Sequence, residues 1–73
     1  MKNMENLKNL PSQEGRTIIV TGANTGLGYE TALFLAEKGA KVVMACRNLK
    51  KATAAKQKIE QEISTADLEV MEI

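Results

Sequence analysis

The stretch that most constrains this chain is an apolar run that leads directly into a glycine-rich turn. Thr17-Ile18-Ile19-Val20 is followed by Thr21-Gly22-Ala23-Asn24-Thr25-Gly26-Leu27-Gly28. A run of β-branched residues favours a strand, and the pattern after the turn favours a helix. A glycine turn at the N-terminus of a helix presents main-chain N–H groups that can bind phosphate. The sequence therefore predicts a strand, a phosphate-binding turn and a helix in succession.

Each glycine of the turn has a different predicted role. Gly22 lets the chain leave the strand with backbone angles that a Cβ atom would disfavour. Gly26 keeps the surface bare where a diphosphate approaches the main chain, and Gly28 lets the helix pack closely on the strand. Between them, Asn24 and Thr25 can add side-chain hydrogen bonds. The first group of candidate binding residues is therefore Gly22, Asn24, Thr25, Gly26 and Leu27.

The spacing of the glycines is Gly-x-x-x-Gly-x-Gly, which differs from two common phosphate-binding patterns. The usual dinucleotide fingerprint is Gly-x-Gly-x-x-Gly, and a P-loop requires Gly-Lys-Ser/Thr where Leu27-Gly28-Tyr29 stands. A turn that merely links a strand to a helix is the alternative interpretation. The context favours a binding turn, because it follows a predicted strand, opens a predicted helix and precedes a second strand at a suitable distance.

The rest of the sequence predicts a regular alternation of strands and helices. Apolar runs and Gly, Asn and Pro punctuation place strands at 16–21, 41–46 and 68–73, and helices at 27–38 and 49–63. Consecutive apolar residues in the first two strands favour a parallel sheet covered on both faces. Right-handed crossovers then arrange the strands in the order 3-2-1, which is half of an α/β Rossmann-type sheet.

The chain divides at its first predicted strand. Residues 1–15 are predicted to be an N-terminal arm, and residues 16–73 the N-terminal portion of a dinucleotide-binding domain. Met4, Leu7 and Leu10 have helical spacing, so a short ordered helix is the alternative to a flexible arm.

The composition narrows the classes of partner. Ten Lys and Arg against nine Asp and Glu give a net charge of +1, which provides no general attraction to nucleic acid or to an anionic membrane. One Cys and no His exclude an internal disulfide and the usual zinc site. No apolar run is as long as a membrane span. We therefore expect a cytoplasmic protein that binds neither nucleic acid nor membranes.

The segment Thr21-Gly22-Ala23-Asn24-Thr25-Gly26-Leu27-Gly28 resembles the cofactor motif of the short-chain dehydrogenase/reductase family, and the order of elements matches from 16 to 73. The resemblance implies a nicotinamide-dinucleotide oxidoreductase, usually a homo-oligomer, that transfers hydride to or from a small-molecule alcohol or carbonyl. The family's catalytic Asn, Ser, Tyr and Lys would lie beyond Ile73, so we expect the cofactor-binding part of a longer protein. Tyr29 is not assigned a catalytic role, because Leu33 stands where the family has its Lys.

The end of the second strand predicts which cofactor is bound. In dinucleotide folds a carboxylate there binds the ribose hydroxyls of NAD and repels the 2′-phosphate of NADP. Here the position falls at uncharged Cys46 and is followed by Arg47, whose guanidinium offers a planar fork to phosphate oxygens. Asn48 could add donors, and Lys50 and Lys51 would raise the local potential. The pattern favours NADP(H), although most arginines are ordinary solvated charges.

Ala45-Cys46-Arg47-Asn48 is also similar to an NADP-preferring branch of the family that includes retinol dehydrogenase-like and protochlorophyllide reductase-like proteins. Two other functions remain open. One is a nucleotide-binding module without redox chemistry, and the other is a fragment without activity of its own. A downstream Tyr-x-x-x-Lys would argue against the first, and titration with NADPH would test the second. Cys46 itself is expected to be a packing residue rather than a reactive thiol.

Overall fold

A computed structural model describes residues 11–73 of the chain. The helical turn suggested by Met4, Leu7 and Leu10 lies outside the described residues. The elements follow one another as β1 (Thr17–Thr21), α1 (Gly26–Glu37), β2 (Lys41–Cys46), α2 (Leu49–Glu62) and β3 (Asp67–Glu72). The predicted alternation is confirmed, and every boundary falls within one residue of its predicted position.

The three strands form one parallel sheet with β2 in the centre. Val20 of β1 pairs with Met44 of β2, and Met44 pairs with Val70 of β3. The order β1-β2-β3 is the predicted order 3-2-1 counted from the other edge. Because the strands are parallel, their carboxyl ends lie together and form the carboxyl end of the sheet. The connections from β1 to α1 and from β2 to α2 start at the carboxyl end.

Both helices pack on the same face of the sheet, and the core lies between them and the strands. The buried cluster combines side chains from both helices with alternate side chains of the strands: Val20, Val42, Met44, Cys46, Leu68, Ala32, Leu35, Ala36, Ala52, Ala55 and Ile59. Right-handed crossovers that step twice in the same direction bring both helices to one face. The described residues therefore enclose a core on one side of the sheet only.

The expectation that the strands are covered on both faces is wrong for the described residues. Val20 is buried, but the neighbouring Ile19 side chain points to the opposite face and is 59% exposed. Met71 lies on that same face and is 39% exposed. Consecutive apolar residues show that both faces are apolar, but two crossovers supply helices to only one of them.

The loops at the amino ends of the strands fasten the chain to α1. Helix α1 ends at Glu37 with Lys38 as its C-cap, and Gly39 follows with φ +94°, a left-handed conformation common just after a helix. The Gln13 N–H donates to the Lys38 carbonyl at 2.8 Å, and the Lys41 N–H donates to the Arg16 carbonyl at 2.9 Å.

Neither helix within residues 11–73 has the length and apolar character needed to cross a membrane.

Candidate functional site

The glycine turn holds two residues in the left-handed backbone conformation. Gly22 has φ +63° and Gly26 has φ +57°, where a residue with a Cβ is strained. The Gly22 N–H donates to the Ala45 carbonyl at 2.9 Å, so the start of the turn is fixed to β2. A Cβ placed on Gly26 would meet no heavy atom within 4 Å. The main chain at Gly26 therefore lies open to a ligand.

Gly28 is required for close packing rather than for an unusual φ. A Cβ at this position would overlap the Gly22 carbonyl oxygen and lie 2.8 Å from its carbonyl carbon. It would also lie 3.3 Å from the Cα of Ala23. The first turn of α1 thus packs on the glycine turn itself, where the sequence predicted packing on the strand.

The N-terminus of α1 is open. Thr25 occupies the N-cap position with an extended backbone, but its side chain makes no capping hydrogen bond, and the first turn contains no acidic residue. The first intrahelical bond in this region runs from the Tyr29 N–H to the Thr25 carbonyl, 3.3 Å. Because the first N–H groups of a helix have no intrahelical acceptor, these donors and the positive end of the helix dipole are available to an anion.

The N-terminus of α2 differs, because a side chain occupies it. The Asn48 side-chain oxygen accepts a hydrogen bond from the Lys51 N–H at 3.1 Å, so Asn48 caps the helix. The amide nitrogen of Asn48 remains a donor. The N-termini of α1 and α2 both lie at the carboxyl end of the sheet. That of α2 has a side-chain cap, and that of α1 has none.

The end of β2 contributes one buried and one exposed residue. The Cys46 side chain is 1% exposed and belongs to the core cluster, in agreement with the packing role expected of it. Arg47 follows on the surface and forms no ion pair within the described part of the chain. Leu27, in the first turn of α1, is 45% exposed.

A cleft of about 470 Å³ separates the glycine turn from α2. The turn and α1 contribute Asn24, Thr25, Gly26 and Tyr29, while α2 contributes Lys51, Ala54, Ala55 and Lys58. The cleft thus brings together three of the predicted binding residues. The others, which are Gly22, Leu27, Arg47 and Asn48, do not line it.

The wall formed by α2 includes Lys58, which is not among the binding residues predicted from the sequence. Lys51 and Lys58 are seven positions apart, which is the spacing of residues on the same helix face. Neither lysine forms an ion pair with a described residue. That spacing, with two small residues between, is the signal that could have identified Lys58.

Tyr29 and Lys58 lie against each other in the lining of the cleft. The Lys58 ammonium lies 5.4 Å from the centroid of the Tyr29 ring. The Tyr29 hydroxyl is buried and has no hydrogen-bond partner in the described structure. Burial raises the pKa of Tyr29 above its ordinary value, and the carboxylates of Glu62 and Glu30 raise it further. The phenol therefore keeps its proton at neutral pH.

The fold and the turn together define a Rossmann-like α/β unit. The model of the short chain dehydrogenase family matches residues 16–73, and the chain belongs to that family of oxidoreductases.

Human retinol dehydrogenase 13 is 52% identical over 48 residues, which are 66% of this chain and 14% of that protein. The structure of an uncharacterised protein from Mycobacterium paratuberculosis superposes with a TM-score of 0.78 at 42% identity and covers 92% of this chain and 23% of that one. An Escherichia coli protein described as a short-chain dehydrogenase and crystallised with NADPH has a TM-score of 0.74 at 32% identity, with 82% and 25% covered. The chain therefore spans a quarter or less of these proteins.

Proposed function

We propose that this chain is the cofactor-binding part of an NADP(H)-dependent oxidoreductase that transfers hydride between the nicotinamide and an alcohol or carbonyl carbon of a small molecule. One observation carries the proposal. The N-terminus of α1 has no cap and stands beside the bare main chain of Gly26, whereas α2 is capped by Asn48. An open helix N-terminus at a glycine turn is suited to a diphosphate.

The diphosphate would bind at this turn. The free N–H groups of the first turn of α1 would donate to its oxygens, and Gly26 would allow contact with the main chain. Asn24 and Thr25, which line the cleft, would add side-chain donors. When bound, the nicotinamide supplies or accepts the hydride, and the residues of this chain hold the adenosine side of the cofactor.

The preference for NADP(H) is supported by the charges around the end of β2. Arg47 is exposed and unpaired in the described structure, and Lys51 faces the turn across the cleft. Cys46 offers no carboxylate that would repel a 2′-phosphate. The E. coli relative crystallised with NADPH agrees with this preference. We assign no catalytic residue within the chain, and the buried Tyr29 hydroxyl is unsuited to donating a proton to a substrate.

Calorimetric titration of the complete protein with NADPH and NADH tests the proposal. Arg47→Gln should weaken NADPH binding by about ten- to a hundredfold, since a hydrogen bond to a charged group contributes about 1.5–3 kcal/mol. Binding of NADH should stay the same. The pair 2′,5′-ADP and 5′-AMP isolates the same 2′-phosphate without the nicotinamide. No binding of NADPH to the unaltered protein would refute the proposal.

Arg16→Gln is the matched control. Arg16 is also an exposed arginine, but it precedes β1 at the amino end of the sheet. It should leave both affinities unchanged, and equal effects of the two variants would argue against a specific phosphate contact. Arg47→Asp combined with Cys46→Asp should reverse the preference toward NAD. Because Cys46 is buried, that double variant also places a carboxylate in the core, so the single Arg47 variant is the cleaner test.

A further inference from the structure

We propose that Lys58 is a positioning residue for this site, an inference that rests on the proposed function. Its ammonium, held over the ring of Tyr29, fixes α2 against the first turn of α1. The contact thereby sets the distance between Thr25 and Lys51 across the cleft. On that distance depends the discrimination between NADP(H) and NAD(H).

The Lys58 side chain extends toward Tyr29 of α1 and not along its own helix. On α2, Glu62 lies four residues after Lys58, the spacing at which helical ion pairs form. The equivalent pair two residues earlier, Lys56 and Glu60, is made at 3.7 Å. No such pair joins Lys58 and Glu62 in the described structure. Instead, the Lys58 ammonium lies 5.4 Å from the Tyr29 ring centroid, within the range of a cation–π interaction.

The second observation is that Tyr29 belongs to the turn that presents the candidate phosphate donors. Its N–H donates to the Thr25 carbonyl at 3.3 Å, so the backbone of Tyr29 is fixed to the N-cap of α1. Its hydroxyl is buried, and the ring packs against the core cluster. Tyr29 thus links the cation of Lys58 to the main chain of Thr25.

The third observation is the small size of the residues between the two lysines. Lys51 and Lys58 lie two turns apart, about 10 Å along the axis at 1.5 Å per residue. Between them, the wall of the cleft is made by Ala54 and Ala55. The Tyr29 ring also packs against the core cluster to which Ala55 belongs. Within the part of the chain the structure describes, the Tyr29–Lys58 contact joins the two walls of the cleft.

The consequence for the cofactor differs between NADPH and NADH. The open N-terminus of α1 would bind the diphosphate that both cofactors carry. We assign Lys51, on the opposite wall, to the 2′-phosphate that NADPH alone carries. If the contact between Tyr29 and Lys58 is lost, Lys51 moves away from Thr25 and NADPH binding weakens while NADH binding is preserved.

The test measures the dissociation constants of NADPH and NADH in the complete protein, together with thermal unfolding. Lys58→Met keeps an unbranched side chain but removes the cation, and it should weaken NADPH about two- to fivefold and leave NADH unchanged. Lys58→Arg keeps the cation over the ring and should restore the affinity. Lys56→Met removes the same charge from the same helix away from the cleft, and should change neither affinity.

A double-mutant cycle separates positioning from direct contact. If Lys58 acts through the ring, Lys58→Met should have no further effect on NADPH binding once Tyr29→Leu is present. A full effect of Lys58→Met in that background would show a direct contact with phosphate and overturn the inference. An equal loss of NADPH and NADH affinity would overturn it as well. If Arg47→Gln abolishes the preference for NADPH while Lys58→Met does not affect it, the proposed function stands and this inference fails.

Discussion

Gly28 lies against the main-chain carbonyl of Gly22 so closely that a Cβ at position 28 would overlap the carbonyl oxygen. The two glycines thus have different tasks in one turn. Gly22 supplies a left-handed backbone, φ +63°, and Gly28 supplies the absence of a side chain. Their contact brings the first turn of α1 directly onto the exit from β1.

Replacement of Gly28 by alanine should therefore separate the helix from the turn. The atom it would meet is main chain, which cannot rotate away as a flexible side chain can. We expect a loss of about 1–3 kcal/mol in the free energy of unfolding, typical of overpacking. NADPH binding should weaken in parallel, because the donors of α1 move with the helix. Urea unfolding and calorimetry of the complete protein measure both effects, and an unchanged unfolding midpoint would contradict the close packing.

Gly26 and Gly15 form a matched pair that separates backbone strain from ligand access. Both have positive φ, +57° and +83°, and neither would place a Cβ within 4 Å of another atom. Alanine at either position should cost about 1–2 kcal/mol of stability, the strain of a left-handed conformation. Only Gly26→Ala should also weaken NADPH binding, because its methyl group stands where the diphosphate approaches. Equal NADPH affinities in the two variants would place the diphosphate elsewhere.

Replacement of Asn48 by aspartate should keep or slightly raise the stability of the protein and at the same time weaken its binding of NADPH. Asn48→Ala removes the acceptor of the Lys51 N–H and should cost about 1 kcal/mol of stability. Asn48→Asp keeps an acceptor and adds a negative charge at the N-terminus of α2, so stability should be kept or slightly raised. The same charge should repel a 2′-phosphate and weaken NADPH but not NADH. Unfolding and binding measurements that change in parallel for Asn48→Asp would contradict the placement of the phosphate.

The order of elements could be predicted because several boundaries have a local cause. Gly39 ends α1 through its backbone, and Asn48 begins α2 through its side chain. The left-handed geometry at Gly22 likewise follows from residue type and position. Such signals act over a few residues, so they are visible in a single sequence.

What could not be predicted depends on contacts between distant segments. Thr25 is a residue type that usually caps a helix, so only the structure reveals that its side chain makes no cap bond. The contact of Lys58 with Tyr29 joins two helices, and no local pattern specifies it. The exposure of Ile19 arises because an apolar run does not state which elements cover it.

The uncovered face of the sheet should make the isolated 73-residue chain self-associate. Ile19 is 59% exposed on that face, and within residues 11–73 β1 is an edge strand with unpaired main-chain groups on one side. Ile19→Lys should shift sedimentation toward the monomer. Leu49→Lys is the control, because Leu49 is 43% exposed but lies on α2. A chain that is already monomeric, or equal effects of both variants, would contradict this prediction. The homo-oligomer implied for the complete protein stays a separate prediction.

Tyr29 should ionise at a higher pH in the folded chain than in the unfolded one. Burial is the main cause of its raised pKa, followed by Glu62 and Glu30. Because the folded state holds the phenolic proton more tightly, this contribution to stability is complete below pH 10.0 and is lost as the pH rises from there through the folded pKa. The chain has one Tyr and no Trp, so tyrosinate absorbance reports this residue alone.

The titration is best made on the chain carrying Ile19→Lys, to limit self-association. The midpoint in buffer should exceed that in denaturant, and Glu62→Gln should remove only a minor part of the difference, since burial dominates. Tyr29→Phe should abolish the corresponding fall in the free energy of unfolding above pH 10.0. Identical midpoints in buffer and denaturant, with the chain shown to be folded by circular dichroism, would mean that the Tyr29 hydroxyl is solvated rather than buried.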